Sequence, residues 1–189
     1  MSIAVPEPLK RFIWDIQSMV ELADSEREIL VIGRDLMRRL VAEDGWLPEP
    51  FAQAGTQRGR HYLLFRDALE RFAVTATVLR AGQSMLARQE GVWEIYGVLR
   101  GTLARSAWPE GAESAYPAGA AETAGSKSAR ALRLAAAAET IVIHVYGGEI
   151  GAMARFALDG NAMDEALPFA NPEDAPPYDI FTIQTLIVD

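Results

Sequence analysis

The chain contains no cysteine and only two histidines, His61 and His144, among its 189 residues. The first absence excludes disulfides, thiolate metal ligands and a cysteine nucleophile together. The second excludes any metal site that needs three imidazoles from one chain. Basic residues are also scarce, 18 Lys and Arg against 26 Asp and Glu for a formal net charge of -8, and no stretch concentrates them. An average surface of that sign repels nucleic acid, so no nucleic-acid partner is expected. No apolar run reaches the roughly 18 residues of a membrane span, and the N-terminal MSIAVPEPLKRF carries no apolar segment behind its charges. These features predict a cytoplasmic protein with no membrane partner. A phosphate-cradling glycine loop and a GxSxG serine motif are missing too, which removes support for P-loop and serine-hydrolase chemistry.

What is present is globular: half of the residues are hydrophobic and 23% are charged. The length suits one domain over residues 1–189. Between Pro8 and Val41 apolar residues recur at spacings of three and four, which predicts two amphipathic helices. They break at Ala23-Asp24-Ser25, where Asp24 or Ser25 caps the second helix and Glu28 completes a capping box. Asp44-Gly45 ends that helix, and Pro48, Pro50, Gly55 and Gly59 make a loop.

From there the period becomes two. Segments His61 to Phe65, Arg71 to Leu79, Trp93 to Leu99 and Thr140 to Tyr146 are rich in β-branched and aromatic residues and read as strands. Pro109 to Ser128 reads as a low-complexity loop with nothing to pack. The stretch Arg130 to Ala138 is alanine-rich, so propensity favours a helix while the architecture favours a strand, and a strand is expected. Ile180 to Val188 reads as a terminal strand. The expected architecture is mainly β, a barrel over residues 60–189 behind a helical part over 1–45.

Three segments carry a family resemblance: Tyr62-Leu63-Leu64-Phe65-Arg66-Asp67 with Glu70-Arg71-Phe72; Gly82-Gln83 followed by Trp93 and Gly97-Val98-Leu99-Arg100-Gly101; and Ile143-His144-Val145-Tyr146-Gly147 with Ile150-Gly151. In order and rough spacing, over Tyr62 to Arg155, they resemble bacterial type I thiol dioxygenases, the group of cysteine dioxygenase and 3-mercaptopropionate dioxygenase. The resemblance implies a cupin, a double-stranded β-helix with iron on three histidines at the barrel mouth. Counting along this chain, the family's His-x-His pair falls on Arg88 and Glu90, and the third ligand falls near Ala129. None of the three is histidine. A guanidinium keeps its proton and offers no lone pair, so no iron cofactor is expected.

Arg88 and Glu90, two apart on a strand, share a face and are separated by roughly 7 Å along the backbone. Turned inward they would form an ion pair where the metal sits in the family, and turned outward an ordinary surface pair. The resemblance further implies that His144 and Tyr146 descend from a Ser-x-His-x-Tyr relay, with Val142 at the serine position, and that Arg155 is a substrate-carboxylate clamp. Tyr62 lies near the position where animal cysteine dioxygenases carry their carboxylate-binding arginine, yet barrel packing suits it better, and His61 should face the opposite way. Trp93 and the Gly97 to Gly101 turn read as scaffold.

The expected function is therefore a diverged cysteine dioxygenase-like cupin without the iron site. Its pocket, with Arg155, His144, Tyr146, Arg88, Glu90 and Tyr62 as candidates, would bind a small carboxylate-bearing molecule or thiol. Two alternatives stand beside it: an active thiol dioxygenase with an atypical iron site drawing on Glu90 and His144 or on another subunit, and an interaction module. Apolar helices and the segment Phe181 to Val188 suggest docking of a second copy.

Overall fold

The computed structural model describes residues 3–127, 130–148, 153–159 and 162–179. Among the described residues two α-helices, α1 (Glu7–Leu22) and α2 (Glu26–Leu40), precede eleven strands. These are β1 (Arg60–Arg66), β2 (Phe72–Leu79), β3 (Ser84–Gln89), β4 (Trp93–Arg100), β5 (Thr102–Ala107), β6 (Ser114–Pro117), β7 (Ala121–Ala124), β8 (Arg130–Ala136), β9 (Thr140–Gly147), β10 (Met153–Asp159) and β11 (Ala162–Ala166). The helix junction forms as its sequence predicts. Ser25 caps α2 by accepting from the Glu28 N–H at 3.3 Å, and the Glu28 carboxylate reaches back to the Asp24 N–H at 3.1 Å.

All strand pairs named in the two sheets are antiparallel. One sheet has the order β1-β2-β9-β4-β7, the other β11-β10-β3-β8-β5-β6. The successive strands β2, β3, β4 and β5 alternate between the sheets, and so do β8, β9 and β10. The eight strands β2 to β9 thus make the four-on-four jelly roll, or double-stranded β-helix.

The first sheet is covered on both faces. Every residue of β2 and of β9 is buried. Val74, Val78, Ile95, Leu99, Ile141, Ile143 and Val145 pack against Leu9, Phe12, Ile13, Ile16 and Met37 of the helices. Residues of the opposite parity, such as Leu79, Tyr96, Val98 and Val142, meet Met85, Leu103 and Leu134 of the second sheet. Each fully buried aliphatic side chain of this kind contributes about 1.5–3 kcal/mol.

Gly97 lets α2 lie close on β4: a Cβ there would stand 2.6 Å from Met37 Cγ and 2.9 Å from Val41 Cγ1. Overpacking of this sort costs about 1–3 kcal/mol, so Gly97→Ala should lower the urea midpoint by a matching amount with an unchanged slope. An unchanged midpoint would contradict the close helix-sheet contact. Gly101, at φ 76°, makes the turn from β4 to β5, where a Cβ would strike the Glu139 carbonyl oxygen at 2.2 Å.

Arg130–Ala136 is a strand, as the architecture demanded over propensity. Pro109 to Ser128 differs from its expectation. It contains β6 and β7, which pair with β5 and β4, and Ala121 is buried. Edge strands need backbone hydrogen bonds more than large side chains, so an Ala- and Gly-rich sequence serves and gives no apolar alternation to read. The expected terminal strand, Ile180 to Val188, lies outside the described residues. No described helix is long and apolar enough to cross a membrane.

Candidate functional site between the sheets

A strand turns alternate residues to opposite faces, so the parity that carries Val98 and Val142 inward also carries Glu94 and Tyr96 on β4 and His144 and Tyr146 on β9. The register sets Glu94 directly beside Tyr146 and Tyr96 beside His144. From the second sheet come Gln89 on β3, Arg105 on β5, Arg130 on β8 and Arg155 on β10. Glu94, His144, Tyr146 and Arg155 are about 1% exposed, Gln89 2% and Arg105 9%. Charged side chains buried to that degree require partners.

The partners form one network. Arg105 Nη2 donates to Glu94 Oε2 at 2.6 Å, and its guanidinium lies 4.0 Å from the Tyr96 ring centre. The second oxygen of Glu94 is 2.9 Å from His144 Nδ1. The His144 ring stacks on Tyr146 at 5.6 Å, and Arg155 Nη2 donates to the Tyr146 hydroxyl. At the flank Arg130 donates to Gln89 Oε1 through Nη2 at 2.8 Å and Nε at 3.3 Å.

Electrostatics settles the charge states. Burial opposes ionisation of Glu94, yet the Arg105 charge, the His144 hydrogen bond and Arg155 together hold its carboxyl well below the usual carboxylate range. Burial lowers His144 to about 4, against the pull of Glu94 and with the help of Arg155. A neutral imidazole beside an ionised carboxylate carries its hydrogen on Nδ1, which donates to Glu94 and leaves Nε2 as a bare acceptor. Burial raises the Tyr146 and Tyr96 hydroxyls, so both remain protonated at neutral pH.

Three of the expected residues, Arg155, His144 and Tyr146, come together here. Arg88 and Glu90 do not: both are exposed, and Arg88 lies 6.0 Å over the Phe156 ring on the outer face. On β3 the inward parity belongs to Met85, Ala87 and Gln89, so Arg88 is turned to the outer face, and Glu90 lies just past the strand's end. Tyr62 points to the helices, edge-on to Phe51 at 6.1 Å with its hydroxyl donating to the Gln53 carbonyl at 2.6 Å, and plays a packing role. His61 takes the inward face, with Nδ1 3.2 Å from Thr77 Oγ1 and its ring stacked on Phe169. Burial, then the charges of Arg155 and His144, hold His61 well below its ordinary pKa.

Glu94, Arg105, Gln89 and Arg130 are the members that sequence reasoning missed. A signal existed for the first: one carboxylate inside a strand that otherwise reads Trp, Ile, Tyr, Gly, Val, Leu up to its terminal Arg100. For the arginines no comparable signal exists, because arginines at strand positions are usually solvated.

The donor set does not fit iron(II). Both oxygens of Glu94 are engaged, Arg105 lies against that carboxylate, and among the described residues no three His, Cys, Asp or Glu side chains group as a metal site. The neighbourhood of Ala129, the third ligand position implied by the family resemblance, lies outside the described residues.

Comparison with known proteins gives distant likenesses. No family model matches the chain. Among solved structures it is similar to an uncharacterised conserved protein with a double-stranded β-helix domain from Klebsiella pneumoniae, at 11% identity and TM-score 0.48, over 55% of this chain and 84% of that one. It is also similar to an RmlC-like cupin protein from Desulfovibrio desulfuricans, at 22% identity and TM-score 0.44, over 56% and 95%. A third likeness is to a salicylate 1,2-dioxygenase variant from Pseudoaminobacter salicylatoxidans, at 15% identity and TM-score 0.44, over 54% and 31%. By fold the chain is a double-stranded β-helix. The strand order, rather than any of these likenesses, fixes that.

Proposed function

We propose that this chain is a cupin that descends from a thiol dioxygenase-like ancestor and binds a small carboxylate-bearing molecule between its sheets without oxidising it. The observation that carries this reading is Arg155. Its guanidinium is 1% exposed, is anchored on Tyr146 through Nη2, and keeps Nε and Nη1 without an acceptor among the described residues. A buried cation with idle donors costs several kcal/mol unless an anion satisfies it. A carboxylate supplies both the charge and the acceptors.

The test is a thermal-shift and calorimetric screen of acetate, propionate, cysteine and 3-mercaptopropionate, combined with metal analysis and oxygen uptake. A ligand at a hundred times its dissociation constant should stabilise the fold by about 2.7 kcal/mol, and Arg155→Met should abolish the effect. Stabilisation that survives in Arg155→Met would place the binding elsewhere. Stoichiometric iron with thiol-dependent oxygen uptake would overturn this reading in favour of an active dioxygenase.

A further inference from the structure

We infer that the ligand is a small dicarboxylate, with one carboxylate on Arg155 and the other on Arg105. This rests on the carboxylate reading above and extends it to a second anchor. The register is the first reason. Arg105 is seated on Glu94 and Arg155 on Tyr146, and those two residues are direct neighbours on β4 and β9, so their Cβ atoms are about 5 Å apart. On the opposite sheet β5 and β10 stand three strand spacings apart, about 14 Å at the backbone. The two guanidinium groups therefore lean toward each other from opposite flanks. Between them lie Ala87 on β3, paired with Arg155, and Leu134 on β8, paired with Arg105.

Idle hydrogen-bonding capacity is the second reason. Arg105 Nη1, Arg155 Nε and Nη1, and Gln89 Nε2 are all buried without an acceptor among the described residues. They belong to side chains at least nine-tenths buried, and they flank both anchors rather than one.

Charge is the third. Three guanidinium groups, Arg105, Arg130 and Arg155, accompany one carboxylate, Glu94, in this cluster, and the histidines are neutral. Arg130 is only half-buried, with Gln89 and the Gly125 carbonyl as acceptors, and keeps part of its solvation. Glu94 already serves Arg105 and His144. The two buried guanidinium groups against Glu94 leave one positive charge that a single carboxylate neutralises, and Arg130 at the flank brings the cluster to two, which a dianion matches.

Calorimetry on the whole chain with malonate, succinate and glutarate, against acetate, propionate and inorganic phosphate, tests the inference. The best dicarboxylate should bind at least tenfold tighter than either monocarboxylate, about 1.4 kcal/mol, with a clear optimum of chain length. In Glu94→Gln/Arg105→Gln, which keeps a neutral pair, the ratio of dicarboxylate to monocarboxylate affinity should collapse toward one. Should that variant not fold, the chain-length optimum of the unaltered protein decides, and a flat series overturns the inference. Equal affinity for both classes, lost in Arg155→Met, would refute the second anchor while leaving the single-carboxylate reading intact. Phosphate binding as tightly as the best dicarboxylate would replace it with one compact oxyanion. No binding of any anion would refute both.

Discussion

Glu94→Leu should destabilise the protein by about 3–5 kcal/mol, the range for removing one partner of a buried ion pair. Glu94 and Arg105 are 1% and 9% exposed, so solvent screening does little to soften the loss. The variant strands the Arg105 guanidinium in an apolar interior already holding Arg155, and it removes the acceptor of His144 Nδ1. The double variant Glu94→Leu/Arg105→Met takes away both charges and should regain most of the loss, since apolar groups of similar volume often equal or exceed a buried pair in stability. Urea unfolding of the two single variants, the double variant and the parent closes the cycle. A coupling energy under about 1 kcal/mol would mean that the pair is solvated, and the interior network described above would be wrong.

Acid should destabilise the fold in two steps. His144 is lowered from its ordinary 6.5 to about 4 by burial, so between those values the unfolded chain binds a proton that the folded one refuses. Stability then rises with pH through that window. His144 contributes its full share above pH 6.5 and loses about 3 kcal/mol as pH falls to 4. His61 is depressed as well and acts in the same direction below its ordinary value. Glu94 follows: its depressed carboxyl supports the fold above the ordinary 4.5, and that support drains away as pH drops through the folded value. Chemical denaturation from pH 8 to 4 measures the first step, and His144→Gln should flatten it. An equally steep slope in His144→Gln would show that the imidazole titrates as freely in the folded state as in the unfolded one.

Much of the scaffold was legible before any coordinates. The three-four spacing of Leu9, Phe12, Ile13 and Ile16 marks α1, and Ser25 with Glu28 marks the start of α2, because helix periodicity and caps are local properties. The strands β2, β4 and β9 announce themselves by branched and aromatic residues. They are dense enough in such residues to be buried on both faces. Strands β6 and β7 escaped because their small residues owe their conformation to the neighbours they pair with.

The site was legible only in part. His144, Tyr146 and Arg155 were found through the family resemblance, and all three belong to the network. Arg88 and Glu90 were placed by counting residues, and a count cannot say which parity of β3 faces inward; pairing with β8 and β10 decides that, and it turns Gln89 inward instead. Glu94 and Arg105 are eleven positions apart and on different sheets, so nothing local joins them.

The sequence alone determined the limits of the chemistry: without cysteine, and with two histidines, this chain cannot assemble three imidazoles or a thiolate around a metal, whatever its fold. It also determined where helices and central strands begin, since those follow from the residues' own backbone preferences and periodicity. Only the tertiary structure decided which charges share the interior. Register and sheet order bring Arg105 to Glu94 and Arg155 to Tyr146 from distant segments, and a buried charge acquires its meaning from the partner that the fold supplies.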